Sequence, residues 1–394
     1  MSSSDLGVME GVSAATARQA WMLRMYTFAI YTTQALLVSY FPLYFLSKGF
    51  NEQQIGVLYS SGPLISILAN LLMGAASDKY RTIRKVLILL LFGQLVAAAC
   101  LLPASSFWAV VTIMFFFYFC QTPMVPLTDS LIVLASPHIK QPYALIRIFG
   151  SIGFCVSAYF LGLILKAVGT QWTVAVCIAT IIATLLIAFL MRDYQGTMRK
   201  MDFSGFFRLV RKPDVVLFFS IVLIVSIAHR MNEGFLGVTM NKMGASDTLV
   251  GAAWSMSSLS EIPILYLMGK YGHRYKELPL LFFASVLYAL RFWLNGHITT
   301  PYGFVLTQLL HSVTFGIFFS TALRYVAQII PDEYRSSGMA LFAIVWTGFA
   351  GVISGLFGGY LYQQYGSGLF FDVAAALALL AGLMFIGKHM LARR

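Results

Sequence analysis

Twelve apolar stretches, each long enough to cross a bilayer, run almost end to end through this chain of 394 residues. They lie near 22–47, 54–76, 86–104, 106–135, 142–168, 171–191, 215–240, 248–270, 278–296, 301–329, 336–364 and 367–390. About 17 to 25 apolar residues suffice for one helical crossing. A mean hydropathy of +0.79 with only 11% charged residues stands far from a soluble domain, in which about 25% are charged. The expectation is an all-α integral membrane protein with twelve transmembrane helices.

The first twenty residues are polar and hold no short apolar core followed by a cleavage site, so the first stretch reads as an uncleaved span. An even number of crossings puts both termini on one side. Of the 27 basic residues, twenty fall in segments on that side and only Lys48, Lys166 and Lys242 on the other. The positive-inside rule then places both termini in the cytoplasm, with the cell membrane as the expected location. The net charge of +12 is thereby accounted for by topology. These bases are scattered over separate short loops, which argues against nucleic acid as a partner. Cys100, Cys120, Cys155 and Cys177 all fall inside predicted spans without CxxC spacing and read as small buried side chains, with no disulfide or metal.

The longest polar interruption, Arg192 to Asp214, divides the spans six and six. A shift of 195 residues lays Asn51-Glu52 over Ser246-Asp247, Gly56 over Gly251, Met73-Gly74 over Met268-Gly269 and Lys79-Tyr80 over Arg274-Tyr275. Six crossings return the chain to its starting side, so the two copies share an orientation. The expected organisation is an N-terminal six-helix bundle over 1–191, a cytoplasmic linker over 192–214 and a C-terminal six-helix bundle over 215–394, the two bundles pseudo-symmetric.

Seven formal charges stand at membrane depth: Asp129, Arg147, Arg230, Glu233, Glu261, Arg291 and Arg324, joined by His229 and His311. Each costs on the order of 2.5 to 3.5 kcal/mol near a bilayer centre unless it meets a partner or a wet cavity. An arginine in a low-dielectric cavity presents a planar fork to a carboxylate or to hydroxyls, and an acid opposite it can exchange that partner for a proton. His229, Arg230 and Glu233 share one helical face at i, i+3 and i+4, a spacing that suits a local salt bridge. His311 sits about 15 Å into its span, counted at about 1.5 Å per residue. Arg324 is near enough to the cytoplasmic end to snorkel. Four arginines against three acids lean toward an anionic solute. Tyr31, Tyr40, Tyr44, Phe154, Trp254 and Trp346 are candidate cavity walls. The run Gly351, Gly355, Gly358, Gly359 supplies the small-residue spacing of close helix approach.

Between the second and third spans the chain reads Gly74, Asp78, Lys79, Tyr80, Arg81, Arg84, Lys85, which resembles the loop signature of the major facilitator superfamily. Asp78 is placed to cap or pair at the helix end while the bases anchor at the headgroups, so Gly74, Asp78, Lys79 and Arg84 are candidates for a gating loop. The segments Pro126-Leu127-Thr128-Asp129-Ser130-Leu131 and Leu145-Ile146-Arg147-Ile148-Phe149-Gly150-Ser151 resemble the fourth and fifth spans of the phenylpropionate permease branch of that superfamily, a relative of lactose permease. Glu261, Arg291 in Leu290-Arg291-Phe292-Trp293, His311 and Arg324 extend the resemblance over nearly the whole chain. The resemblance implies the major facilitator fold and substrate binding by Asp129, Arg147, Phe154 and Glu261, with Phe154 where the permease stacks a tryptophan on its sugar. It implies proton coupling through Glu261, Arg291, His311 and Asp129, with His229, Arg230, Glu233 and Arg324 as secondary candidates. Thr314 stands where the permease has a protonatable glutamate and Gln308 where it has a lysine, so coupling here must shift to Glu261, Asp129 or Glu233.

No nucleophile with its base and no metal-ligand cluster is evident, so neither an enzyme nor a cofactor is expected. What the resemblance implies is a secondary active transporter working by alternating access: a proton-coupled symporter that imports a small organic solute such as an aromatic carboxylate, a sugar or a nucleoside. The alternative is a proton-driven efflux antiporter for amphipathic compounds. Its partners would be the solute, protons and the lipid bilayer.

Overall fold

The computed structural model describes residues 3–141, 143–194, 212–330 and 335–391, so most of the expected linker, 195–211, lies outside the described residues. Among the described residues there is no strand. In lipid every backbone N–H and C=O must find its partner inside the protein, which a helix achieves within a single segment.

The helices are α1 (Ser3–Ser39), α2 (Phe41–Ser47), α3 (Glu52–Tyr80), α4 (Ile83–Leu101), α5 (Phe107–Gln121), α6 (Met124–Ile139), α7 (Tyr143–Val168), α8 (Thr173–Leu190), α9 (Pro213–Lys242), α10 (Asp247–Tyr271), α11 (Glu277–His297), α12 (Pro301–Thr307), α13 (Ile317–Ile329), α14 (Arg335–Ala343) and α15 (Ala350–Leu391). Among the described residues, nine segments qualify as crossings by length and hydropathy, or ten with α1 and α2 taken as one span bent by 42°. The remaining two expected spans have plain reasons for standing outside that set. Helix α10 is long enough but carries Ser255, Ser257, Ser258, Ser260 and Glu261. Helix α15 merges two expected spans across a break at Gly366, whose φ of 77° and ψ of −179° favour a residue without a Cβ. That break falls where the sequence leaves a gap between 364 and 367. Two π-helical turns, Ser312–Gly316 before α13 and Ile344–Phe349 before α15, interrupt the tenth and eleventh spans.

The internal repeat is visible in how two helices begin. Asn51 accepts a hydrogen bond at Oδ1 from the Gln54 amide (2.8 Å), and Gln54 Oε1 accepts from the Asn51 amide (3.0 Å), a reciprocal capping box on α3. At the aligned position Ser246 caps α10 by accepting from the Leu249 amide. The two helices therefore start at Glu52 and Asp247, the offset read from the sequence.

Backbone contacts divide the chain into two compact units. One comprises Met1–Leu37, Ile65–Ala158 and Trp172–Arg199; the other comprises Val38–Leu64, Tyr159–Gln171 and Lys200–Arg394. In the first, α4 packs on α5, α6 and α8. A chain of amides threads its core: Gln94 donates to Gln121, which donates to Gln34 Oε1 at 2.9 Å. In the second, α15 runs along α9 and α11. Phe235, Phe292, Phe304, Phe318, Phe371 and Phe385 fill its interior with no exposed surface.

The glycine run in α15 has a steric cause within that second unit. Gly355 meets the Gly56 backbone, and a Cβ on Gly56 would lie 2.9 Å from the Gly359 Cα and closer still to the Gly355 carbonyl. Glu52 and Lys242 form an ion pair near this contact. Gly56→Ala is expected to destabilise by about 1–3 kcal/mol through overpacking against backbone that cannot move aside. Gly269→Ala meets nothing within 4 Å and should leave the melting temperature in detergent unchanged; thermal-shift measurements on both variants check the contrast.

Candidate functional site

All of the charges expected at membrane depth except Arg324 gather in two clusters, one in each unit. In the first unit Asp129 projects from α6 and Arg147 from α7, with Arg147 Nε 3.3 Å from Asp129 Oδ1. Both side chains keep about a third of their surface open, 29% and 32%. The Tyr31 ring covers the guanidinium at 4.6 Å, a cation–π contact. Gly150 makes room for that stack, since a Cβ there would lie 2.8 Å from the Tyr31 ring and 2.7 Å from Arg147 Nη1. The Tyr143 phenol hydrogen-bonds to Asp129. Phe154 is half-buried on α7, two turns beyond Arg147, so the ring placed directly on the arginine is Tyr31's.

In the second unit the centre is Arg291 on α11, with no exposed surface. Its Nη1 donates to His311 Nδ1 (2.8 Å) and lies 3.4 Å from Thr314 Oγ1, while Nη2 donates to Gln308 Oε1 (2.5 Å). His311 Nε2 lies 2.7 Å from Glu261 Oε1 on α10. Because Nδ1 accepts from the guanidinium, the imidazole must carry its one proton on Nε2 and donate it to Glu261. Glu261 and Arg291, both singled out for proton coupling, are therefore joined through a neutral histidine. Thr314 and Gln308, the two departures from the lactose permease pattern, join His311 in accepting from the two terminal nitrogens of the guanidinium, while the buried Nε has no acceptor among the described residues. Ser257 adds a further hydrogen bond to Gln308 Oε1 at 3.1 Å.

A second chain runs beside the first. The Tyr288 hydroxyl lies 3.1 Å from His229 Nδ1, and His229 Nε2 lies 3.4 Å from Glu233 Oε1. Arg230 Nη1 donates to Glu233 Oε2 at 2.7 Å, the local salt bridge its spacing suggested, and Nη2 reaches Thr347 Oγ1 at 3.2 Å. The rings of His229 and His311 both lie nearly parallel to Phe315, at 5.3 and 5.2 Å between centroids. Trp346 closes the far side of His229 at 5.1 Å. Each π turn brings polar groups here, Thr314 from one and Trp346 O and Thr347 from the other. Such turns often mark functional sites.

Arg324 belongs to a separate cluster, pairing with Glu277 at 2.9 Å and donating to the Tyr275 carbonyl at 3.1 Å. Glu277 thereby makes the acids equal to the arginines, four and four, and the lean toward an anionic solute disappears. At the loop after α3, Asp78 is exposed. The acid that caps the next helix is Asp193, which accepts from the amides of Ile83 (3.2 Å) and Arg84 (3.1 Å) and from Thr82. Arg84 in return donates to the Ala188 and Phe189 carbonyls at the end of α8.

Sequence reasoning missed Tyr143, Tyr288, Asp193 and the Asn232–Asn295–Thr307 bridge, whose links are 2.9 and 2.6 Å. Spacing along one helix carries no signal for partners on another. Asn232 and Asn295 alone had one, as unexplained amides in apolar runs.

With the two clusters in place, the comparisons with known proteins settle the family. The model of the MFS_1 like family matches residues 20–373. The chain belongs to the MFS_1 like family. Among its relatives, the probable 3-phenylpropionic acid transporter of Escherichia coli is 27% identical over 362 residues, 90% of this chain and 94% of that one. The maltose permease of Geobacillus stearothermophilus is 25% identical over 84% of this chain and 85% of its own. The crystal structure of the nucleoside transporter NupG superposes with a TM-score of 0.83 at 16% identity, covering 94% of this chain and 98% of that one, a likeness of fold. This MFS_1 like protein is thus a multi-pass membrane transporter with the major facilitator fold, and not an enzyme.

The two clusters differ in how much stability hangs on them. Removing one partner of a fully buried charged network costs about 3–5 kcal/mol, whereas a pair open to water is worth about 1 kcal/mol or less. Arg291→Leu should therefore lower the melting temperature in detergent far more than Arg147→Ala. Similar melting of the two variants would contradict the burial contrast.

Proposed function

We propose that this MFS_1 like protein is a proton-coupled symporter that imports a small organic solute, with Asp129 and Arg147 binding the solute and Glu261 carrying the proton. The observation that supports this reading is the chain Arg291–His311–Glu261, which ends on a carboxylate with 22% of its side chain exposed. His311 is committed to Arg291 through Nδ1 and cannot take a second proton without breaking that bond, which leaves the Glu261 carboxylate as the proton carrier in this reading. Protonated Glu261 loses its charge-assisted bond to His311, which weakens the hold on Arg291 and ties proton loading to helix movement. Thr314 supplies no competing acid.

Asp129 and Arg147 suit either of two solute chemistries. A carboxylate displaces Asp129 from the guanidinium, and a sugar or nucleoside hydroxyl bridges both. The printed names of two relatives, a 3-phenylpropionic acid transporter and a maltose permease, span the same range. The reading takes residues 1–191 and 215–394 as the two moving halves joined by 192–214. Both termini are cytoplasmic and the membrane is the cell membrane.

In proteoliposomes the wild type should accumulate its solute when the lumen is alkaline. Glu261→Gln should lose that accumulation while retaining solute exchange down its own gradient. The ligand is found first by a thermal-shift screen over aromatic acids, sugars and nucleosides, and Arg147→Ala should abolish the shift. Accumulation that persists after the pH gradient is collapsed overturns the proton coupling; a shift retained in Arg147→Ala overturns the solute site.

A further inference from the structure

The chain of amides in the first unit runs from a sealed end to an open one. Gln94 on α4 has no exposed surface, and its Oε1 meets no donor among the described residues. Its Nε2 donates to Gln121 on α5, which donates in turn to Gln34 Oε1 on α1 at 2.9 Å. Turning all three amides round would place an NH2 group at the sealed end instead of one oxygen, and buried N–H groups without acceptors are rarer than oxygens without donors. The sealed end thereby fixes the direction. The open end presents an NH2 group, since Gln34 is half-buried and its Nε2 is neither bonded to nor closed off by the described residues.

Gln34 stands beside the Asp129–Arg147 pair. It follows Tyr31 by three residues on α1, one helical turn or about 5 Å along the same face, and Tyr31 covers Arg147 on α7. Gln34 lies against α5, which together with α6 and its Asp129 makes a single crossing. This strip of α1 therefore faces the gap between the same two crossings that hold Asp129 and Arg147, whose side chains are both part-open. The lining offers donors on Arg147 and Gln34 and an acceptor on Asp129. A hydroxyl both donates and accepts, and so meets both kinds. A carboxylate meets the donors but faces the like charge of Asp129, and a hydrocarbon tail strips water from Gln34 without replacing it.

We propose that Gln34 is a specificity-determining residue, donating from Nε2 to a solute oxygen one turn beyond the group held by Arg147, and that the solute is a neutral polyhydroxylated compound rather than an aryl-alkanoate. This rests on the reading of Asp129 and Arg147 as the solute site. Gln121 and Gln94 are positioning residues behind Gln34: Gln121 holds its Oε1, Gln94 holds Gln121, and the NH2 group is aimed outward as a result. A site built to donate to a solute oxygen rejects an analogue that lacks it, because the donor is then left unpaired.

Binding to the purified full-length protein is measured by thermal shift and titration calorimetry, with glucose, maltose, uridine and adenosine as hydroxylated probes against benzoate and 3-phenylpropionate. At least one hydroxylated probe should bind about tenfold more tightly than either acid, the scale of one hydrogen bond. Gln34→Glu keeps an oxygen for Gln121 and removes the donor, and it should weaken that probe about tenfold, as should Gln34→Leu. Monodeoxy analogues on the wild type need no variant: loss of one particular hydroxyl should cost about tenfold, and Gln34→Leu should bind that analogue and its parent equally. No binding by any hydroxylated probe, or an acid bound as tightly as all of them, overturns the proposal. Undiminished binding by both Gln34 variants while Arg147→Ala loses it overturns the role of Gln34 and leaves the Asp129–Arg147 site standing. Binding retained by Arg147→Ala overturns that site, and the proposal with it.

Discussion

A guanidinium with no exposed surface, Arg291, is the constraint around which the second unit is arranged. Burying such a charge is costly unless it is surrounded by acceptors of good geometry. The shell that answers this demand at both terminal nitrogens draws on α10, the end of α12 and the first π turn: His311, Gln308 and Thr314 accept, and Ser257 steadies Gln308. One consequence is chemical, because the guanidinium fixes the tautomer of His311 and aims its remaining proton at Glu261. Another is architectural. An unbroken α-helix from Pro301 to Ile329 would advance each residue by a fixed rotation, and the π turn at Ser312–Gly316 shifts that phase where His311 and Thr314 face the arginine.

The same demand for partners in a poorly hydrated setting recurs at helix ends. Asp193 just beyond α8 satisfies the first amides of α4, and Arg84 in the first turn of α4 satisfies the last carbonyls of α8. This reciprocal clasp sets an acid at a helix N-terminus and a base at a C-terminus, the arrangement helix dipoles favour. Asp78 had looked like the capping acid because it lies in the recognisable loop pattern. Asp193 is far away in sequence and belongs to no pattern, and only the folding of α8 against α4 brings it there.

Much of the fold was legible because it rests on local properties. Span length, the break near Gly366, the aligned starts at Glu52 and Asp247 and the close approach signalled by Gly351, Gly355 and Gly359 are all consequences of residue type and spacing. The Arg230–Glu233 bridge was legible for the same reason, as a pair three residues apart on one helix. The candidate site was legible only in part. Asp129, Arg147, Glu261, Arg291 and His311 could be singled out because charge is costly in an apolar run, but not who would stand beside whom. Glu261 meets Arg291 only through His311, an order that no spacing along one helix could show. Glu277 balances Arg324 across 47 positions and removes an apparent excess of positive charge.

By itself, then, the sequence determined that the chain is helical, crosses a membrane many times, is built twice over and must hold several charges at depth. Hydropathy, helix length and repeat offset are properties of short segments, and they survive whatever the segments pack against. The tertiary structure alone decided the partners: Tyr31 over Arg147, a neutral histidine between Arg291 and Glu261, and Asp193 rather than Asp78 as the acid at the start of α4. Pairing of a buried charge depends on distances between helices and on the phase each presents. Those are set by packing across the fold, where a single π turn or one missing Cβ is enough to choose between neighbours.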